Sequence, residues 1–222
     1  MTPRSAPGHR CARPDHRKMH EAVWTEERAR AVLDDPARRE REDPRKLWRR
    51  AGLKAGMCVA DVGAGSGFYS FPASDVVGRS GRVLAIDVSP ELVAMVRARA
   101  RRERRGNVVA TLSRPGRIPL ADALADRVLL ANVVHGIPPA TLREAARILR
   151  PGGLLIDLDW RKESAARGPP LAHRLSAAEA RRALERYGLR AVGEWKPGPD
   201  HYALLLEKPV ASEGVARRPR ST

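Results

Sequence analysis

The segment ADVGAGSGFYS at 60–70 sets an acid, Asp61, ahead of three glycines at alternate positions, Gly63, Gly65 and Gly67, with Ala64 among them. It lies between a β-rich run and a helical one. Glycine lets a chain turn tightly and a ligand approach the backbone, and a helix that follows offers free N–H groups. A turn that merely needs glycine is the competing reading. Asp87 weighs between the two. It ends the next β-rich run, 20 residues beyond Gly67, where a carboxylate can accept both hydroxyls of a ribose. Its other use would be to cap the helix starting near Pro90, a task better suited to Ser89. Loop and acid in one strand–loop–helix–strand unit point to a nucleoside ligand.

Spacing narrows the ligand. A dinucleotide fingerprint needs G-x-G-x-x-G, and counting from Gly63 and Gly65 the third position is Phe68. Asp61 would also repel a pyrophosphate. Asp61 followed by Gly63, Gly65 and Gly67 instead resembles motif I of the class I S-adenosylmethionine-dependent methyltransferases. The resemblance runs through most of residues 44–209, taking in IPL at 118–120, ADRVLLANVVH at 125–135 and ILRPGGLLIDLDW at 148–160. It is similar to the broad small-molecule group that includes ubiquinone/menaquinone-biosynthesis and arsenite methyltransferase-like enzymes. The resemblance implies S-adenosyl-L-methionine as cofactor, with Asp61 helping to hold its ammonium. It further implies that Val88 packs beside the adenine, that Asn132 lies against the methionine part, and that the stretch from Leu112 through Ser113 to Arg114 reaches the adenine edge. Many relatives carry Asp where this chain has Ser113.

Methyl transfer is an in-line displacement at an activated carbon, so alignment and exclusion of water are the protein's main tasks. A hydroxyl acceptor would add the need for a base. His135, just past the fourth β-rich run, is the catalytic candidate, with a partly buried, hydrogen-bonded histidine as the alternative. Trp160 and Tyr202 are candidates for an apolar acceptor pocket or for packing. Asp157 and Asp159 share a strand face, but no third oxygen ligand stands with them, and the spacing of His9, Cys11, His16 and His20 matches no common zinc pattern. No metal is expected. NVVH at 132–135 replaces the Asn/Asp-Pro-Pro-aromatic motif frequent among enzymes methylating exocyclic or amide nitrogens of nucleic acids and proteins. With only Cys11 and Cys58, and Cys58 expected in a buried strand, arsenic chemistry is disfavoured as well.

These residues need a scaffold, and the sequence alternates accordingly. Strands are expected at MCVADVG, RVLAIDV, NVVATLS, DRVLLANV, GLLIDLDW, RAVGEWK and HYALLLEK, with helices over 68–77, 90–105, 138–149 and 176–187. RPGG at 150–153 should stop the third of these helices. KPGPD joins the last two strands and is too short for a crossover, so they should form an antiparallel hairpin. The expected fold class is α/β, a Rossmann-like seven-stranded, mostly parallel sheet with a C-terminal antiparallel hairpin and helices on both faces. Helices over 20–34 and 44–52 would form an entrance layer, joined by DDPARREREDP, where Pro36 and Pro44 suit first-turn positions. One domain over 20–209 is expected between a basic arm at 1–19 and a tail at 210–222, both rich in Pro, Arg, Ser and Gly.

The chain has 222 residues, 42% hydrophobic and 31% charged, proportions of a folded soluble domain. No spanning segment and no secretory signal is visible, so the cytoplasm is the expected compartment. The formal charge of +16 suggests an anionic partner, yet only six of the 42 basic residues are lysine, an excess of arginine that base composition could produce. Sparse aromatics offer no stacking platform for bases. Methylation of a small or medium-sized molecule is the leading expectation. The alternatives are an RNA methyltransferase using the basic surface and a non-catalytic adenosylmethionine-binding protein.

Overall fold

The computed structural model describes residues 25–163 and 168–210. The basic arm, the tail from 211, the His9, Cys11, His16 and His20 group, and the first residues of the helix expected over 20–34 lie outside them.

Three helices come first: α1 (Glu26–Leu33), α2 (Pro36–Arg41) and α3 (Pro44–Arg50). The stretch expected to join two helices is itself partly helical. Pro36 opens α2 as a first-turn proline, and Arg38 pairs with Glu42 one turn on. Asp43 caps α3, accepting the N–H groups of Arg45 and Lys46 at 2.9 and 3.1 Å.

The alternating part follows as β1 (Cys58–Val62), α4 (Ser70–Val77), β2 (Arg82–Asp87), α5 (Pro90–Arg102), β3 (Val108–Leu112), β4 (Ala125–Ala131), α6 (Pro139–Ile148), β5 (Leu149–Trp160), α7 (Ala177–Glu185), β6 (Arg190–Trp195) and β7 (His201–Glu207). All seven expected strands pair in one sheet of order β3-β2-β1-β4-β5-β7-β6. Strands β1 to β5 are parallel, and β7 runs antiparallel between β5 and β6. The RPGG stretch does follow the end of a helix, but its residues are already extended. They open β5, whose register against β4 moves from Ala125↔Leu149 to Arg127↔Leu154.

Alternate residues of the central strands feed two cores. Val59, Ala85, Leu129 and Ile156 meet Leu47, Trp48, Phe71, Val93 and Val96 of α3, α4 and α5. Ala60, Ile86, Leu130, Leu155 and Leu204 meet Leu142, Ala146 and Leu184 of α6 and α7. Arg127, 8% exposed, donates to the carbonyls of Ala51 and Gly52 at 2.7 and 3.1 Å and so ties the sheet to the end of α3. Cys58 is half-buried, more open than expected. No described helix is long and apolar enough to cross a membrane.

Chain order reverses between β1 and β4, because β2 lies on one side of β1 and β4 on the other. In open α/β sheets a crevice forms outside the carboxyl ends of the strands at such a point. The glycine loop and Asn132 leave the sheet there.

Candidate functional site

The loop after β1 is pinned to the end of β2, for the N–H groups of Gly63 and Ala64 both donate to the Ile86 carbonyl, at 2.8 and 3.0 Å. Gly63, Gly65 and Gly67 all have positive φ, 77°, 56° and 81°, which explains glycine at each. Close approach adds to the requirement. A Cβ on Gly63 would lie 2.6 Å from Val133 Cγ1, one on Gly67 2.7 Å from Phe71, and one on Gly65 3.1 Å from Leu33 of α1. Ser66, buried beneath α1, donates to Asp34 at 2.7 Å. The entrance layer thus rests directly on the loop.

Asp87 joins that loop to its own turn. One carboxylate oxygen accepts the Gly65 N–H at 2.9 Å and the other the Ser89 N–H at 3.0 Å. The cap of α5 is Ser89, whose hydroxyl accepts the Leu92 N–H, so Asp87 is not spent on capping. Val88 and Leu112, at the ends of β2 and β3, are each 46% exposed. Ser113 donates its backbone N–H to the Asp87 carbonyl at 2.8 Å, with its hydroxyl 3.3 Å from the same oxygen.

Asp61 ends up buried, 1% exposed, where the Ser70 hydroxyl donates to it at 2.6 Å. Burial pushes its pKa up to about 6, against the bond from Ser70 and with help from the charge of Asp87. Asn132 takes a left-handed conformation, φ 58°, held by its N–H to the Leu158 carbonyl. Its side-chain NH₂ donates to Glu42 Oε2 at 3.1 Å, while its Oδ1 is buried with no hydrogen-bond partner.

Glu42 and Arg38 were not expected here, since DDPARREREDP reads as a charged connector. Glu42 is 3% exposed. It is gripped by Arg38 through two bonds of 3.2 and 3.1 Å and accepts the Tyr69 hydroxyl at 2.7 Å. Burial alone would raise its pKa, but Arg38, His201 and Tyr69 hold it below the usual carboxylate range. The four-residue spacing of Arg38 and Glu42 was the one local signal. His201, also buried, lies against Trp160 with ring centroids 4.2 Å apart and the planes tilted by 44°, and burial pushes its imidazole pKa down.

His135 sits past β4 on the face of α6 and α7. Its Nδ1 lies 2.8 and 3.0 Å from the two oxygens of Asp159, and its backbone N–H donates to the same carboxylate at 3.1 Å. Asp159 is 1% exposed and also accepts the Trp160 N–H at 2.7 Å. A proton on Nδ1 facing that carboxylate leaves the lone pair on Nε2. Asp157, two residues back on the same face, is fully buried, and burial together with the charge of Asp159 holds its carboxyl well above the ordinary range. Tyr202 packs beside it, 4% exposed, as a core residue. Sequence reasoning singled out His135 and Asp159 separately; it did not join them.

A family model described as a methyltransferase domain matches residues 60–157. The solved structure of an S-adenosylmethionine-dependent methyltransferase from Aquifex aeolicus is 34% identical, covering 83% of this chain and 99% of that one with a TM-score of 0.78. An arsenite methyltransferase of Halobacterium salinarum is 34% identical over 106 residues, 46% of this chain and 27% of that protein. The ubiquinone/menaquinone biosynthesis C-methyltransferase UbiE of Cellvibrio japonicus is 29% identical over 125 residues, 53% of this chain and 50% of that protein. The matches thus span between about a quarter and a half of these curated relatives' length.

Proposed function

The chain belongs to the class I S-adenosylmethionine-dependent methyltransferases, and from that membership we propose that it transfers the cofactor's methyl group to a small or medium-sized molecule. The residues present fit the cofactor. Asp87 places its carboxylate at the carboxyl end of β2, where it would accept ribose hydroxyls. Exposed Val88 and Leu112 offer apolar surface to an adenine beside it, with Ser113 at its edge. At the other end Asn132 Oδ1 is an acceptor in need of a donor, and Asp61 supplies a carboxylate for an ammonium group. The bound cofactor supplies a methyl carbon activated by its sulfonium; the chain's share is orientation, dryness and proton handling.

The observation that carries transfer, beyond binding, is the His135–Asp159 pair at the strand ends. Asp159 orients the imidazole and would stabilise its cation, so that Nε2 takes the proton of a hydroxyl acceptor. Two relatives whose names point to small molecules, one to ubiquinone/menaquinone biosynthesis and one to arsenite, support the acceptor class. Arsenite itself fits poorly, because arsenic(III) favours thiolates and the chain has two cysteines. Incubation with methyl-labelled cofactor and fractionated cell extract tests the proposal. Label in a low-molecular-weight fraction is expected. Label confined to RNA would move the acceptor class, and cofactor binding without label in any fraction would leave a binding protein.

A further inference from the structure

Glu42 is a carboxylate set out of water, 3% exposed, in the entrance layer. Four groups face it: Arg38 from α2, the Tyr69 hydroxyl, the Asn132 amide, and His201, whose Nε2 lies 3.7 Å from Oε1. Arg38 pairs with the charge and the Tyr69 hydroxyl donates to it. The bond to Asn132 has a different effect. An amide has a donating and an accepting end, and turning it over would set Oδ1 against the Glu42 carboxylate, acceptor against acceptor. Glu42 therefore fixes which end of Asn132 looks away from it. That end, Oδ1, is buried and has no partner, a state that costs free energy unless a donor arrives. Asn132 stands at the end of β4, next to β1 and its Asp61, where the methionine part of the cofactor is read to lie.

We propose that Glu42 is a positioning residue for the cofactor: it locks the Asn132 amide so that Oδ1 accepts a hydrogen bond from the cofactor's α-ammonium group. The inference rests on the cofactor reading of the site. It gives the entrance layer a part in ligand selection, because Glu42 acts on the amino-acid end and leaves the nucleoside end to Asp87.

Calorimetry with two ligands tests it, S-adenosylmethionine and 5′-methylthioadenosine, the second having the nucleoside but no ammonium. Glu42→Gln keeps the shape but offers Asn132 either end, and should weaken S-adenosylmethionine roughly tenfold while leaving methylthioadenosine unchanged. Asn132→Ala, which spares the Arg38–Glu42 pair, should show the same selective loss. In the Asn132→Ala background, Glu42→Gln should add less than about twofold, the signature of two residues acting through one contact. Full S-adenosylmethionine affinity in either folded variant, equal loss for both ligands, or additive losses in the double variant would overturn the proposal. Should Glu42→Gln fail to fold, Asn132→Ala alone decides by the same ligand comparison. Wild-type protein that binds neither ligand would instead overturn the cofactor reading beneath it.

Discussion

Asp87 and Gly65 are joined by a 2.9 Å bond from backbone N–H to carboxylate, so the acid after β2 and the loop after β1 form one rigid piece. The carboxylate proposed to accept the ribose hydroxyls is thereby held in place by the glycine loop. Asp87→Ala should weaken S-adenosylmethionine by about tenfold or more, through loss of a charge-assisted contact and of the loop's anchor. Calorimetry on the folded variant checks this, and unchanged affinity would remove Asp87 from the site.

Gly63→Ala combines a left-handed φ of 77° with a Cβ 2.6 Å from Val133. It should destabilise the fold by roughly 1–3 kcal/mol. In denaturant melts, adding Val133→Ala should recover the part due to the clash and leave the part due to φ.

Asp61 makes the protein sensitive to pH around 6. Its pKa is raised from 3.8 to about 6, so the folded state holds this proton more tightly than the unfolded chain does. Its contribution to stability is therefore fully present below about pH 4 and is lost as pH rises through about 6. Cofactor binding runs the other way if the ionised form holds the ammonium: affinity should rise about tenfold from pH 5 to 7. Asp61→Asn should flatten that profile, and a profile identical to wild type would dismiss the role.

Asp159→Asn removes the carboxylate from His135 Nδ1. Turnover on the acceptor fraction should fall about a hundredfold or more, with S-adenosylmethionine affinity within about twofold of wild type. Label transfer at saturating cofactor measures the first and calorimetry the second. Wild-type turnover would mean that no base is needed.

Much of this fold is written locally. Glycines at 63, 65 and 67 mark backbone that must enter positive φ, Pro36, Pro44 and Pro90 stand at the first position of three helices, and the short link at 196–200 leaves room only for a hairpin. Turn chemistry, capping and apolar periodicity act between near neighbours, so a reader of the sequence meets them together. The loop and Asp87 were legible for the same reason, since they belong to one strand–loop–helix–strand unit.

Contacts across the fold were not. Glu42 and Asn132 are 90 residues apart, and His135 and Asp159 are 24 apart. Near Glu42 only Arg38, four residues earlier, hints at a pairing; otherwise it sits in a run of arginines and acids that would suit a solvated connector. Its burial goes with contacts from Tyr69 and Asn132, 27 and 90 residues further along the chain, and Asn132 reaches it because β4 lies beside β1 in the sheet. By itself the sequence determined most of the elements, the nucleoside-type loop and the family. Tertiary structure decided which carboxylates lie in water and which face an amide or an imidazole, because a side chain's partners are set by the packing of distant elements and by desolvation.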